Sequence, residues 1–138
     1  MEKRISRSSL YISICELIAQ RAGCSRLGVG CIIVKENRII SSGYNGPLPK
    51  EPPCEYPYCD NTKPCTRSVH AEINAITFCA RSGISIHGAE LYVNYTPCGN
   101  CANVIVQSGI CRVYYKEDFR DTGGLLILRN NIEIVKVG

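Results

Sequence analysis

Leu10, Ile14, Leu17 and Ile18 recur at i, i+4, i+7 and i+8, which predicts a helix from about Ile5 to Arg21, with that face in the core and its end near Gly23. The period then changes. VGCIIVK and RIISSGY are apolar, β-branched runs separated by Glu36-Asn37, which predicts two strands joined by a tight two-residue turn. From Asn45 to about Arg67 the chain is rich in Pro, Gly, Cys and Asp, a loop of about 20 residues or more that something must hold down in a compact domain. SVHAEINAITFCARSG predicts a helix capped by Ser68 and stopped by Gly83, and AELYVNY a strand. In TPCGNCANVIVQSG, Thr96 suits the cap, Pro97 the first helical position and Gly109 the end. ICRVYYK, GGLLILRNN and IEIVKV then follow as strand, short helix and strand.

The alternation of strand and helix in the C-terminal half favours right-handed crossovers and parallel pairing there. Joined to the earlier hairpin, it predicts an α/β fold with a mixed five-stranded sheet. A length of 138 residues suits a single domain over residues 1–138. No apolar run approaches the roughly 20 residues of a membrane helix, so no membrane partner is expected. MEKRISRSSLYISICELIAQ is basic and then apolar like an export signal, but Ser13, Glu16 and Gln20 interrupt it. An amphipathic helix and a cytoplasmic location are the expectation. The net charge of +4 fits a solvated surface or an anionic substrate and does not by itself mark a nucleic-acid binder.

Ten cysteines change the picture, because they imply either disulfides or metal ligands. Cys98 and Cys101 are i and i+3 at a predicted helix start, roughly 5–6 Å apart and able to share a zinc at ~2.3 Å from each sulfur. The positive end of that helix favours thiolates. His70 adds a third donor, and His70-Ala71-Glu72 with Pro97-Cys98-Gly99-Asn100-Cys101 forms the H-x-E…P-C-x-x-C pattern of a zinc deaminase. Three protein ligands leave a fourth position for water, the arrangement of a catalytic zinc. Glu72, about 200° round the helix from His70, would sit beside the metal and take a proton from the bound water. The plain alternatives are a structural or redox C-x-x-C and a core histidine.

At these residues, and along CSRLGVGCIIV, SSGYNGP, VHAEINAI, ELYVNYTPCGNCANVIVQSGI and LRNNIEIV, the sequence resembles the cytidine deaminase superfamily over nearly its whole length. More narrowly it resembles the deoxycytidylate deaminases, phage members included. The resemblance implies a three-layer α/β/α fold and zinc-dependent hydrolysis of dCMP to dUMP and ammonia, supplying thymidylate precursors. Glu72 would protonate N3 and then the departing amine, and backbone groups around Ala71 and Cys98 would hold the base. Asn45 would contact the sugar, although as a turn asparagine it needs no ligand. Tyr115, Lys116 and Arg120 are phosphate candidates that solvation alone could also explain. The resemblance further implies a homohexamer activated by dCTP and inhibited by dTTP, with Mg2+ accompanying the triphosphate. Gly43, Tyr44, Asn45 and Gly46 match part of the family's effector site, and Pro47-Leu48-Pro49-Lys50 departs from it just beyond.

Cys15, Cys31, Cys79 and Cys111 fall within apolar patterns and are expected in the core. Cys54, Cys59 and Cys65 lie in the long loop, where packing gives little reason for them. Some phage members of the family carry a second zinc, and Cys24, Cys54, Cys59 and Cys65 match its ligands by position, though relatives have histidine at two of those places. Four thiolates would make a closed structural site that tethers the loop; free or disulfide-bonded cysteines are the alternative. Other functions stay open, namely a deaminase of a base in nucleic acid and a zinc-stabilised interaction module. The first should show a basic stripe or clustered aromatics, and the eight Tyr and two Phe do not cluster, so no stable nucleic-acid partner is expected. Free cytidine deaminases usually carry cysteine where His70 stands.

Overall fold

The computed structural model describes residues 3–24, 27–54 and 67–138. In chain order the elements are α1 (Arg7–Ala19), β1 (Gly30–Lys35), β2 (Arg38–Tyr44), α2 (Ala71–Ser82), β3 (Glu90–Tyr95), α3 (Gly99–Gln107), β4 (Arg112–Glu117), α4 (Gly123–Asn131) and β5 (Glu133–Lys136). The strands form one sheet in the order β2-β1-β3-β4-β5. β1 pairs antiparallel with β2 and β3, whereas β3–β4 and β4–β5 are parallel. The mixed five-stranded α/β sheet is therefore as expected. Glu36 and Asn37 both have positive φ, 53° and 62°, which makes the hairpin turn type I′ and matches the twist of its strands.

Period-two alternation sends side chains of the middle strands to two cores. Cys31 and Ile33 of β1, Leu91 and Val93 of β3, and Val113 and Tyr115 of β4 pack with Ala75, Cys79, Ile105 and Leu128 of α2, α3 and α4. Ile32, Val34 and Tyr92 face the other way, onto Tyr11, Ile12 and Cys15 of α1. These are the three layers.

Four local expectations are corrected. In α1 the buried residues are Tyr11, Ile12 and Cys15, whereas Leu10 and Leu17 are exposed and Ile14 and Ile18 half-buried. Apolar residues surround this helix, so spacing alone cannot choose its inner face. The cap of α2 is His70, not Ser68, because Val69 still exchanges backbone hydrogen bonds with Gly46 at 2.7 and 3.2 Å and keeps the chain extended. Likewise α3 begins at Gly99 with Cys98 as its cap, because Thr96 N–H donates to Glu117 O and prolongs the β3–β4 pairing. Cys15, Cys31 and Cys79 are buried as expected, but Cys111 is exposed at the entry to β4, its thiol donating to Gly88 O.

Candidate active site

The helix starts that strand pairing delays are the ones that meet. His70 caps α2, Cys98 caps α3 and Cys101 lies in the first turn of α3. His70 Nδ1 is 3.2 Å from Cys101 Sγ and 3.5 Å from Cys98 Sγ, and the three donor atoms lie within 4.8 Å of one another. Two sulfurs and an imidazole nitrogen are a donor set suited to zinc, with one tetrahedral position left over. The positive ends of α2 and α3 both point at this cluster.

Two glycines let these helices approach so closely. A Cβ on Gly43 of β2 would come within 2.4 Å of Ala71 O and 2.8 Å of Ala75 N, in the first turns of α2. A Cβ on Gly124, at the start of α4, would come within 1.9 Å of Pro97 O and 2.8 Å of Cys98 O. Each arm of the cluster thus rests on backbone that admits no side chain.

Charge is distributed unevenly over the cluster. The Cys98 thiol is lowered to about 4, first by the hydrogen bond from the Cys101 thiol and then by that from His70. Cys101, which keeps the proton of that pair and is buried, moves upward. Glu72, 4% exposed, is raised to about 7 chiefly by burial, with its own backbone N–H and His70 acting against the rise and Cys98 adding to it. A carboxyl so placed can hold a proton near neutrality. His70 and Cys98 of the cluster line an open cavity of about 890 Å³ together with Glu72, Asn45, Thr96, Phe119 and Arg120.

Residues 5–117 match the family described as cytidine and deoxycytidylate deaminase zinc-binding region. The chain belongs to this deaminase family. It is 40% identical to ComE operon protein 2 of Bacillus subtilis over 86% of its own length, and spans 63% of that protein. It is 34% identical to the deoxycytidylate deaminase of Enterobacteria phage T4, across 95% of this chain and 90% of the phage protein. The crystal structure of the dCMP deaminase from cyanophage S-TIM5 in complex with dCMP and dUMP superimposes with a TM-score of 0.88 at 32% identity, covering 99% of this chain and 100% of that one. The matched region contains all three donor residues and Glu72, and the deaminase fold is the three-layer arrangement described above. No helix among the described residues is long and apolar enough to cross a membrane.

Of the other expected site residues, Ala71 and Arg120 line the deaminase cavity. Tyr115 and Lys116 do not: Tyr115 is in the core, and Lys116 turns to the opposite face, where it pairs with Glu16 of α1 at 3.1 Å. Adjacent strand residues point to opposite faces, and neither of these two side chains is among those that line the cavity. Asn45 is buried, with Oδ1 accepting from Val29 N and Nδ2 donating to Leu27 O, both at 2.8 Å. Tyr44 O accepts from Asn74 of α2 and Gly46 pairs with Val69, so Gly43 to Gly46 ties β2 to the approach of His70. Cys24 is half-buried at the cavity and Cys54 is buried, whereas Cys59 and Cys65 lie outside the described residues.

Sequence reasoning missed several parts of the site. Asn94 is buried on β3, accepts from Gly30 N at 2.9 Å and donates to Gly28 O at 3.1 Å. With Asn45 it therefore fixes four consecutive residues, two of which, Leu27 and Val29, line the cavity. Phe119 and its two neighbouring aspartates were also missed. Their available signal was position: a polar turn at the C-terminal end of a parallel strand, where open α/β sheets place their ligands.

Proposed function

We propose that this chain catalyses the zinc-dependent hydrolytic deamination of dCMP to dUMP and ammonia. The observation that carries this is the convergence of His70, Cys98 and Cys101 beside buried Glu72, with Arg120 on the rim of the same cavity. His70, Cys98 and Cys101 hold the zinc, which when bound supplies a Lewis acid that brings the pKa of a water to about 7. Glu72 takes one proton of the attacking water on its carboxylate and delivers it to ring N3 as the oxygen adds to C4; it then carries the proton of the added hydroxyl to the 4-amino group, so that the C4–N bond breaks and ammonia leaves. Backbone groups of Ala71 and Cys98 hold the base. The Asn45 amide keeps one N–H and one lone pair beyond its bonds to Leu27 and Val29, and these reach the sugar. Arg120 is the one Lys or Arg among the described cavity residues, and its guanidinium takes the phosphate.

Finer features belong to the same proposal. A second, structural zinc is held by Cys24, Cys54, Cys59 and Cys65; in its support, Gly23 N–H donates to Asn45 O at 2.8 Å and brings the residues after α1 against the start of the long loop. The enzyme is cytoplasmic and assembles as a hexamer, which dCTP with Mg2+ activates and dTTP inhibits through Gly43, Tyr44, Asn45 and Gly46.

Ammonia release from deoxycytidine, dCMP, dCTP and CMP, each with and without dTTP or dCTP, tests the proposal. Preferred turnover of dCMP, raised by dCTP and lowered by dTTP, is expected. No turnover of dCMP under any condition overturns it. For the second zinc, two metal equivalents per untagged chain are expected, and fewer would remove that part.

A further inference from the structure

Parallel pairing of β3 and β4 runs in register to Tyr95 opposite Glu117, and Thr96 N–H continues it by donating to Glu117 O at 3.0 Å. In a parallel ladder the next bond runs from the N–H of residue 119 to the carbonyl of residue 96. Here Phe119 N–H donates instead to the Thr96 hydroxyl oxygen, at 2.7 Å. The side chain has taken the place of its own carbonyl, so the segment after β4 leaves the sheet plane one bond early and passes along the cavity.

That segment, Asp118 to Asp121, forms one lip of the cavity and carries Phe119 and Arg120. Its other ties are exposed. Asp118 pairs with Lys136 at 2.8 Å, both half in solvent, and such a pair contributes little. Asp121 Oδ1 accepts from Gly123 N at 2.9 Å, which fixes the exit into α4 but not the lip itself. Thr96 is 4% exposed and Phe119 half-buried, so this bond is less open to solvent than the other two, and its loss would leave the Phe119 N–H without its protein acceptor.

We propose that the Thr96 hydroxyl is a positioning residue: by holding Phe119 N–H it sets the lip that places Phe119 and Arg120 over the substrate. This rests on the function proposed above. Among the described residues the hydrogen bond of this hydroxyl goes to Phe119 N–H and not to the donor triangle, so its effect falls on substrate capture and not on the chemical step. Threonine suits the task because a hydroxyl is compact enough to stand in for a carbonyl, and its β-branch fixes χ1 in extended chain.

The test compares Thr96→Val, which keeps the shape without the acceptor, with Thr96→Ser, which keeps the acceptor. Three readouts are taken on zinc-loaded protein: metal content, amide exchange of the Asp118–Asp121 peptide, and KM and kcat for dCMP. Thr96→Val should keep its zinc, lose about tenfold in protection of that peptide and raise KM about tenfold with kcat changed less than threefold, as expected for one buried hydrogen bond. Thr96→Ser should restore both protection and KM. Unchanged exchange in Thr96→Val, equal losses in Thr96→Ser, or a fall in kcat without a rise in KM would overturn the positioning role. If the unaltered protein deaminates no dCMP, the functional proposal fails while the exchange comparison still decides whether Thr96 holds the lip.

Discussion

Both faces of the sheet are closed by the same packing device, a glycine that lets a helix come within touching distance of backbone, yet the two faces have different consequences. On the α1 face, a Cβ on Gly30 would lie 2.0 Å from Cys15 O and 2.7 Å from Ala19 N. What it seats there is a tyrosine-lined core: Tyr92 stacks on Tyr114 at 4.2 Å and meets Tyr11 edge-on at 5.0 Å. On the other face Gly43 and Gly124 seat the starts of α2 and α3, and those starts carry His70, Glu72, Cys98 and Cys101. Close packing on one side therefore seats a core that holds no donor of the cluster. On the other it also sets where three metal donors and a carboxylate stand.

Substitutions at these glycines separate the two roles. The largest effect is expected from Gly124→Ala, whose methyl would meet Pro97 O at 1.9 Å. Moving the Pro97-Cys98 peptide by even part of the overlap misplaces two thiolates, so zinc content should fall by half or more and dCMP deamination by at least about 100-fold, as ångström-scale misplacement of a site does. Metal analysis and ammonia release on the folded fraction read this directly. Gly43→Ala, whose methyl would meet Ala71 O at 2.4 Å, should show the same pairing of losses at smaller size.

Gly30→Ala is the counterpart on the α1 face. Overpacking there should cost about 3 kcal/mol of stability, seen as a lower denaturant midpoint, while folded protein keeps the zinc of the His70, Cys98 and Cys101 cluster. Loss of zinc in this variant would show that the two faces are not independent. Smaller again is Tyr114→Leu, which removes the stacking partner of Tyr92 and the hydroxyl that donates to Glu90. It should cost about 1 kcal/mol with deamination unchanged.

Legibility in the sequence followed the same division between local and tertiary causes. The hairpin was readable because two β-branched runs flank Glu36-Asn37, and the turn uses only those residues. The donor cluster was readable because its chemistry lies in short spacings, His70 to Glu72 and Cys98 to Cys101. The helix starts were each misplaced by two residues because Val69 and Thr96 are held extended by partners far along the chain, Gly46 and Glu117. The inner face of α1 was misread because the helix is apolar on more than one side, and only the sheet chooses Tyr11, Ile12 and Cys15. Tyr115 and Lys116 looked alike as polar groups at the end of a strand, yet register sends one into the core and the other to Glu16. Asn94 gave no signal and Thr96 was read only as a helix cap, because their partners at 28, 30 and 119 are set by the fold and not by spacing.

In the proposed mechanism His70, Cys98 and Cys101 hold a zinc while Glu72, beside them but not bound to the metal, carries the protons of the reaction. Glu72→Gln keeps the volume of the buried side chain and removes its capacity to transfer protons. Zinc content and dCMP turnover, measured together on this variant, should show metal equal to that of the unaltered protein and turnover lower by roughly 1,000-fold. Turnover within a few-fold of the unaltered protein, or zinc lost along with activity, would contradict the account.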